Sequence, residues 1–340
     1  MATADVLITG IGGFIAGNLA RTLSGAGKKV VGIGRRPLSA EMLDAGVGFM
    51  PCDITDAEQI HTVVESVQPH TVYHLAAHSV LTGSTAAEML RVNVSGTTNV
   101  LETCRVCGVP VCVAASSDKQ YGALANPPYS DDDVTAFLNG GVYELSKAQG
   151  DQIARLFAGL YDAPSVRVAR LVNIFGPGDL QWTRIVPGTI RRTVIGEAPR
   201  LTSGKAGEAL REYLHVSDAV ASLRLLAEDA AATGNQPYRT PEGKLSQVAV
   251  NVAGGMRLPA AGVIDTIRTV LRDDFGITGP EPVVQPGAVG VFEPGSQFND
   301  AEKITTLFTQ YGKVYSPRPL TDGLRETIPW YLDHLRTSGG

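Results

Sequence analysis

Short runs of β-branched and aliphatic residues alternate with amphipathic stretches through the first half of the chain. Asp5–Thr9, Lys29–Ile33, Gly48–Pro51, Thr71–Leu75, Val109–Ala115 and Ser165–Leu171 read as strands. Between them, Phe14–Ser24, Glu41–Ala45, Asp56–Ser66, Ala86–Cys107 and Val142–Leu160 carry helical spacing. Strands that alternate with helices imply βαβ units, and hence a parallel sheet with helices on both faces. After Asn173 the pattern changes: Pro177, Pro187, Pro199 and frequent glycines break it into loops and short helices as far as about Arg211. Tyr213–Val216 and Asp218–Ala232 restore a strand and a helix, and Gln247–Asn251 reads as another strand. The tail holds a helix at Ala260–Asp273, a Pro/Gly-rich stretch to Gly295 and a last helix at Leu320–His334. The expected fold is therefore α/β, a doubly wound parallel sheet over 1–172 plus roughly 212–253. A smaller α+β lobe, over 173–211 and 254–340, is interleaved with it.

Composition narrows the class without changing this picture. At 340 residues, 44% hydrophobic and 19% charged, the chain is long enough to bury a core without disulfide or metal staples. A net charge of −5 with no Lys/Arg tract argues against a nucleic-acid partner. No apolar run reaches the about 18 residues of a membrane span. Asp5, and the lack of Lys or Arg before Arg21, argue against a secretory signal. Four cysteines are too few for a disulfide framework in so large a chain, so the expected compartment is the cytoplasm.

Candidate chemistry begins at the first turn. Thr9-Gly10-Ile11-Gly12-Gly13-Phe14-Ile15-Ala16-Gly17 places glycines between a strand and a helix. Gly10 permits the tight turn, Gly13 lets backbone approach a pyrophosphate, and Ala16 allows close helix–sheet packing. The helix N-terminus, at Phe14 and Ile15, supplies N–H groups and a positive dipole end for the diphosphate. This is a Rossmann-type dinucleotide cradle. A plain ribose is usually held by Asp or Glu at the end of the second strand, but Gly34-Arg35-Arg36 stands there. Arg35 and Arg36 can pair with a 2′-phosphate, so NADP is favoured over NAD. At the end of the third strand Asp53 is placed to bond an adenine amine, beside Ile54, and Asp56 is a helix cap.

Tyr143-Glu144-Leu145-Ser146-Lys147 sets a phenol and an ammonium four residues apart on one helical face. The ammonium favours the phenolate, which moves Tyr143 toward a usable base, and Lys147 can also hold the nicotinamide ribose. Upstream, a buried strand delivers Ser117 and Asp118 to its C-terminal end, where α/β sheets bind ligands. Ser117 can steady a developing oxyanion, and Asp118 is a candidate general acid.

These segments together resemble the extended short-chain dehydrogenases/reductases, in the nucleotide-sugar epimerase/dehydratase family. The resemblance spans nearly the whole length and adds His74–Ala77, Asn93–Thr97, Arg170–Asn173, Thr183–Pro187 and Arg211–Val216 to the motifs above. It implies that Tyr143, Lys147 and Ser117 form the oxidation machinery, with Leu75, Ala76, Ala77 and Asn93 at the cofactor. It also implies substrate contacts from His78, Ser79, Asn173, Arg184 and Arg211 to a nucleoside-diphosphate sugar, and homodimers through helices near 86–107 and 144–160. Asp118 followed by Lys119 is similar to the pattern of CDP-glucose and GDP-mannose 4,6-dehydratases. The implied reaction oxidises C4, eliminates water across C5–C6 with Asp118 as acid, and returns hydride to C6. Lys119 stands where the usual C5 base is Glu. The alternatives are a 4-epimerase and an NADPH-dependent 4-ketoreductase. Gln285–Gly287 and Pro294–Gln297 fall where relatives often present an arginine to the diphosphate, so either one phosphate contact is missing or the substrate differs.

Other signals carry no chemistry. His70, His74 and His78 recur every four residues, but along a strand that spacing is about 13 Å, too far for one ion, so no metal is expected. Cys104 and Cys107 read as buried thiols, and Arg191–Arg192 as a solvated helix face.

Overall fold

The computed structural model describes residues 4–38, 40–78, 85–122, 127–133, 141–202, 208–236, 238–239, 245–246, 248–285 and 295–337. Its strands are β1 (Val6–Thr9), β2 (Val30–Gly34), β3 (Gly48–Pro51), β4 (Thr71–His74), β5 (Val111–Ser117), β6 (Ser165–Leu171) and β7 (Asn173–Phe175). They continue as β8 (Arg200–Thr202), β9 (Arg211–His215), β10 (Tyr238–Arg239), β11 (Leu245–Ser246), β12 (Ala249–Val252), β13 (Met256–Leu258) and β14 (Val283–Gln285). Seven form one sheet in the order β12-β6-β5-β4-β1-β2-β3, and every pairing in it is parallel. The chain steps outward from β1 to β3 and then returns to β4 on the other side of β1. The C-terminal ends of β1 and β4 therefore flank a topological switch, the crevice where open α/β sheets bind ligands.

Alternation along each strand sends neighbours to opposite faces. Ile8, Val113, Leu171 and Val250 join one core with Leu19, Leu223 and Leu226. Leu7, Val72, Cys112 and Val168 join the other with Ile60, Val64 and Leu101. A third core, built on Phe175, Tyr213, Ile190, Ile267 and Leu324, belongs to the smaller lobe. There the helices Ile185–Val194, Ala260–Phe275 and Leu320–Thr337 pack on one another.

Three departures from the sequence expectation matter for the site. The helix expected over Ala86–Cys107 is α-helical at Ala86–Leu90 and Thr97–Val106, but Arg91–Gly96 between them is a π-helical turn. Such wide turns shift the side chains that follow, and Asn93 lies inside this one. The strand expected in the larger domain near 213–216 does not join the large sheet. As β9 it pairs with β7 and β13 in a separate three-stranded sheet, because β6 runs on through Val172 into β7 and carries it as a partner. The helix that follows, Val216–Thr233, does return to the large sheet, against β5 and β6. Finally, Glu302–Gln310 is a helix not foreseen in the sequence pattern, and its Ile304, Leu307 and Phe308 enter the larger domain's core. Among the described residues no helix is long and apolar enough to cross a membrane.

Candidate active site

A cleft of about 920 Å³ lies over the C-terminal ends of β1, β4 and β5 and extends to the smaller lobe. At its larger-domain end the backbone is shaped for close approach. Gly10 has φ +70°, and a Cβ there would sit 2.7 Å from Ala76 Cα. The helix Phe14–Gly25 starts at Gly13 with no side-chain cap and no acidic residue in its first turn, which leaves its N–H groups and dipole available to a diphosphate. Phe14, Ile15, Ile54, Leu75, Ala76 and Ala77 line the same cleft, as do the exposed Arg35 and Arg36 at the end of β2. Asp53 accepts from the Thr55 N–H (2.9 Å) and Oγ1 (2.8 Å). Burial works to raise its carboxyl, but those bonds and the charges of Arg35 and Arg91 bring it below its ordinary value. Asp56 caps its helix by accepting from the N–H groups of Glu58 and Gln59. A dinucleotide fits this residue set.

A hydrogen-bond chain fixes the switch point. Thr97 Oγ1 donates to the Asn93 carbonyl (2.8 Å), so it accepts from His74 Nε2–H (2.9 Å). His74 Nδ1 then accepts from Thr9 Oγ1 (2.9 Å), whose oxygen receives the N–H groups of Leu75 (3.1 Å) and Ala76 (3.0 Å). Burial, with Lys147 nearby, pushes His74 down to about 3, consistent with a neutral ring in that tautomer. Asn93 stands behind the cleft wall. Its amide accepts from His78 N–H (2.7 Å) and donates to the His78 carbonyl (3.0 Å) and Ser146 Oγ (2.9 Å). Both amide atoms thus align His78 with the Tyr143 helix.

The reacting groups converge from β5 and the helix Val142–Leu160. Ser117 donates to Asp118 Oδ1 (3.0 Å), and Lys119 Nζ lies 3.4 Å from Asp118 Oδ2. Ser117 also stands close enough to the Tyr143 hydroxyl to favour its ionised form. Lys147 Nζ donates to the Ala115 carbonyl (3.3 Å). Burial pushes Lys147 down to about 8 against the opposing charge of Asp151. The phenol differs from the sequence expectation. Burial, reinforced by Asp118, pushes Tyr143 up to about 12, and Ser117 and Arg184 only partly offset this. Desolvation thus outweighs the help of the one neighbouring cation, Arg184.

On the smaller-lobe side, His78, Asn173 and Arg184 line the cleft. Asn173 donates to the Glu212 carbonyl (2.9 Å), and Arg184 pairs with Asp179 at 3.2 Å. Burial raises the Asp179 carboxyl, partly against Arg184. Arg211 is not brought to the cleft wall among the described residues: its guanidinium donates to the carbonyls of Leu210 (3.1 Å) and Gly295 (2.7 Å). Ser79 lies outside the described residues. Gln285 is exposed on β14. Gln297, which the sequence placed opposite a phosphate, instead reaches Lys119 and Asp118. No local pattern signals that contact, since Lys119 and Gln297 are 178 positions apart.

The remaining signals resolve simply. Both His74 nitrogens are bonded as above, and no group of three or more metal-ligating residues is present among the described residues. All four cysteines are free; Cys104 is buried as expected but Cys107 only half-buried, and the Cys104 thiol is raised by Cys112 beside it and by burial. Arg191 is not simply solvated: its guanidinium stacks 5.5 Å from the Trp182 ring centroid, while Arg192 pairs with Glu197.

A doubly wound sheet whose crevice holds a glycine cradle, a serine at a strand end and a tyrosine–lysine pair one helical turn apart defines a short-chain dehydrogenase/reductase. More narrowly, the chain belongs to the NAD dependent epimerase/dehydratase family, whose model matches residues 6–239. It is similar to a dTDP-4-dehydro-6-deoxy-D-allose reductase of Streptomyces bikiniensis, 29% identical over 98% of each chain. A dTDP-glucose 4,6-dehydratase of Streptomyces griseus is 28% identical over 98% of this chain and 95% of that one. Among solved structures, MoeE5 in complex with UDP-glucose and NAD aligns with a TM-score of 0.77 at 26% identity, over 97% of this chain and 99% of that one. A dTDP-glucose 4,6-dehydratase from Bacillus anthracis in complex with NAD shares the fold, with a TM-score of 0.79 at 21% identity over 98% of each chain. The protein is an enzyme of the NAD-dependent nucleotide-sugar dehydratase, epimerase and reductase group.

Proposed function

We propose that the enzyme is a nucleotide-sugar 4,6-dehydratase that prefers NADP. The observation that carries this reading is Asp118, buried at the cleft wall between the Ser117 hydroxyl and the Lys119 ammonium. Ordinary oxidation at C4 needs no such acid. Elimination across C5–C6 needs an acid and a base together, and moving one proton from Lys119 Nζ to Asp118 Oδ2 would provide both.

A nicotinamide held by the Gly10–Gly13 cradle, Leu75–Ala77 and Lys147 would supply the hydride acceptor for C4 and the hydride donor for C6. The chain's own groups move the protons. Tyr143, as phenolate, takes the C4 hydroxyl proton. Lys119, as amine, takes the C5 proton while Asp118 protonates the departing C6 hydroxyl, so one water leaves and the ion pair is restored. Lys119 then returns its proton to C5. The proton held by Tyr143 passes to Asp118 through Ser117 Oγ, which bonds Asp118 and neighbours the phenol. The cycle closes with the protein unchanged.

A second reading, an NADPH-dependent 4-ketoreductase, is supported by the protonated Tyr143, which is suited to donate to a C4 oxyanion, and by Arg35 and Arg36 at the cofactor end. Incubating the protein with a panel of nucleotide sugars and catalytic cofactor separates these. The dehydratase reading expects a 4-keto product one water lighter. A product of unchanged mass with inverted C4, or activity only on 4-keto sugars with stoichiometric NADPH consumption, refutes it.

A further inference from the structure

Gln297 is fully buried, yet it belongs to the tail segment 295–299 and its amide spans both reacting neighbours of Ser117. Its Oε1 accepts from Lys119 Nζ, and its Nε2 donates to the Asp118 carbonyl (3.1 Å). An ammonium can only donate and a carbonyl can only accept, so this amide has one workable orientation. The segment behind it is held as well. Gln297 N–H donates to the Leu210 carbonyl (2.9 Å), Leu210 N–H donates to Ser296 Oγ (3.1 Å), and Arg211 bridges alongside and grips Gly295. Lys119 by contrast is a flexible four-carbon stem whose side chain is 22% exposed to the cleft. Apart from Asp118 beside it, Gln297 supplies its other hydrogen-bond anchor among the described residues.

We propose that Gln297 is the positioning residue of the Asp118–Lys119 pair: it holds Nζ against Oδ2, so that the tail segment, and not the dinucleotide domain alone, builds the eliminating site. This rests on the dehydratase reading. Asp118 and Lys119 line the cleft and Gln297, behind them, is not among its lining residues; it acts through Lys119.

A double-mutant cycle on 4-keto-6-deoxy product formation tests this. Gln297→Met removes one bond to a charged group and should lower kcat about ten- to a hundredfold. KM should stay within about threefold, since substrate contacts are untouched. In a Lys119→Met background the same substitution should change the residual kcat by less than about twofold. Equal losses in both backgrounds, or an unchanged kcat, overturn the proposal. If Gln297→Met does not fold, the near-isosteric Gln297→Glu serves: its added charge should move the acid limb of the kcat profile upward by about one pH unit, and an unmoved limb overturns the proposal. Should the wild type form no dehydrated product, the dehydratase reading fails by itself. The role of Gln297 is then read from the NMR titration of the Lys119 side chain, assigned through Lys119→Arg, whose midpoint should rise in Gln297→Glu and is fatal to the proposal if it does not.

Discussion

Asp151, one helical turn beyond Lys147, provides a sharp test of how the reacting helix is anchored. Its carboxylate is fully buried and accepts from Arg170 Nε (2.8 Å) and Nη2 (2.9 Å) and from Arg155 Nε (2.8 Å). Arg170 is likewise without solvent exposure, and its Nη1 goes to Tyr121 Oη and the Asp131 carbonyl. Asp151→Asn keeps the shape but removes the one carboxylate that, among the described residues, pairs with Arg170. Breaking a buried pair on one side costs about 3–5 kcal/mol. At about 2.1 cal/mol/K per residue, 340 residues give an unfolding entropy of about 0.7 kcal/mol/K, so Tm should fall by about 4–7 °C. Calorimetry with parallel urea unfolding measures this. The double variant Asp151→Leu/Arg170→Met, which removes both charges, should cost less than Asp151→Asn alone. The sign with pH is also set. Burial would raise the Asp151 carboxyl, but the charge and hydrogen bonds of Arg170 hold it below its ordinary value. Its contribution is therefore present above the unfolded value of about 3.9 and is lost as pH falls through the folded one, where wild type and variant should converge. A loss under about 1 kcal/mol at neutral pH, or a double variant as costly as the two single ones summed, would show that the ion pair does not anchor this helix.

Two further outcomes follow from the cofactor end. Replacing Arg35 and Arg36 with alanine should weaken NADP binding about ten- to a hundredfold, by loss of charge-assisted bonds to a 2′-phosphate, and leave NAD binding within about threefold. Equal losses for both in isothermal titration would remove the basis for the NADP preference. Lys147 is pushed down to about 8 by burial, and only its charged form can hold a ribose hydroxyl as a cationic donor. Cofactor affinity should thus be flat below that value and fall as pH rises through it; Lys147→Met should abolish the dependence, and a pH-independent wild type would contradict the assignment.

Much of this molecule is written in near-neighbour sequence. The strands of the large sheet, the glycine turn at Gly10–Gly13 and the Tyr143/Lys147 spacing depend on periodicities of a few residues, and those survive folding because backbone geometry enforces them locally. The parallel arrangement follows from the strand–helix alternation itself. Other features have no local code. Whether Arg211–His215 joins the large sheet or the small one depends on β7, a partner that becomes available only when β6 runs past the sheet edge. The π turn that turns Asn93 toward His78 and Ser146 looks, in sequence, like ordinary helix. The upward push on the Tyr143 phenol has no local code either, because water is removed by walls contributed from distant segments while its lysine neighbour bonds Ala115. The grip of Gln297 on Lys119 crosses 178 positions. Sequence determined which groups the chain carries and the local geometry that presents them; tertiary packing decided which of them meet and how much water they keep, since desolvation and long-range contact are properties of the assembled interior and of no segment alone.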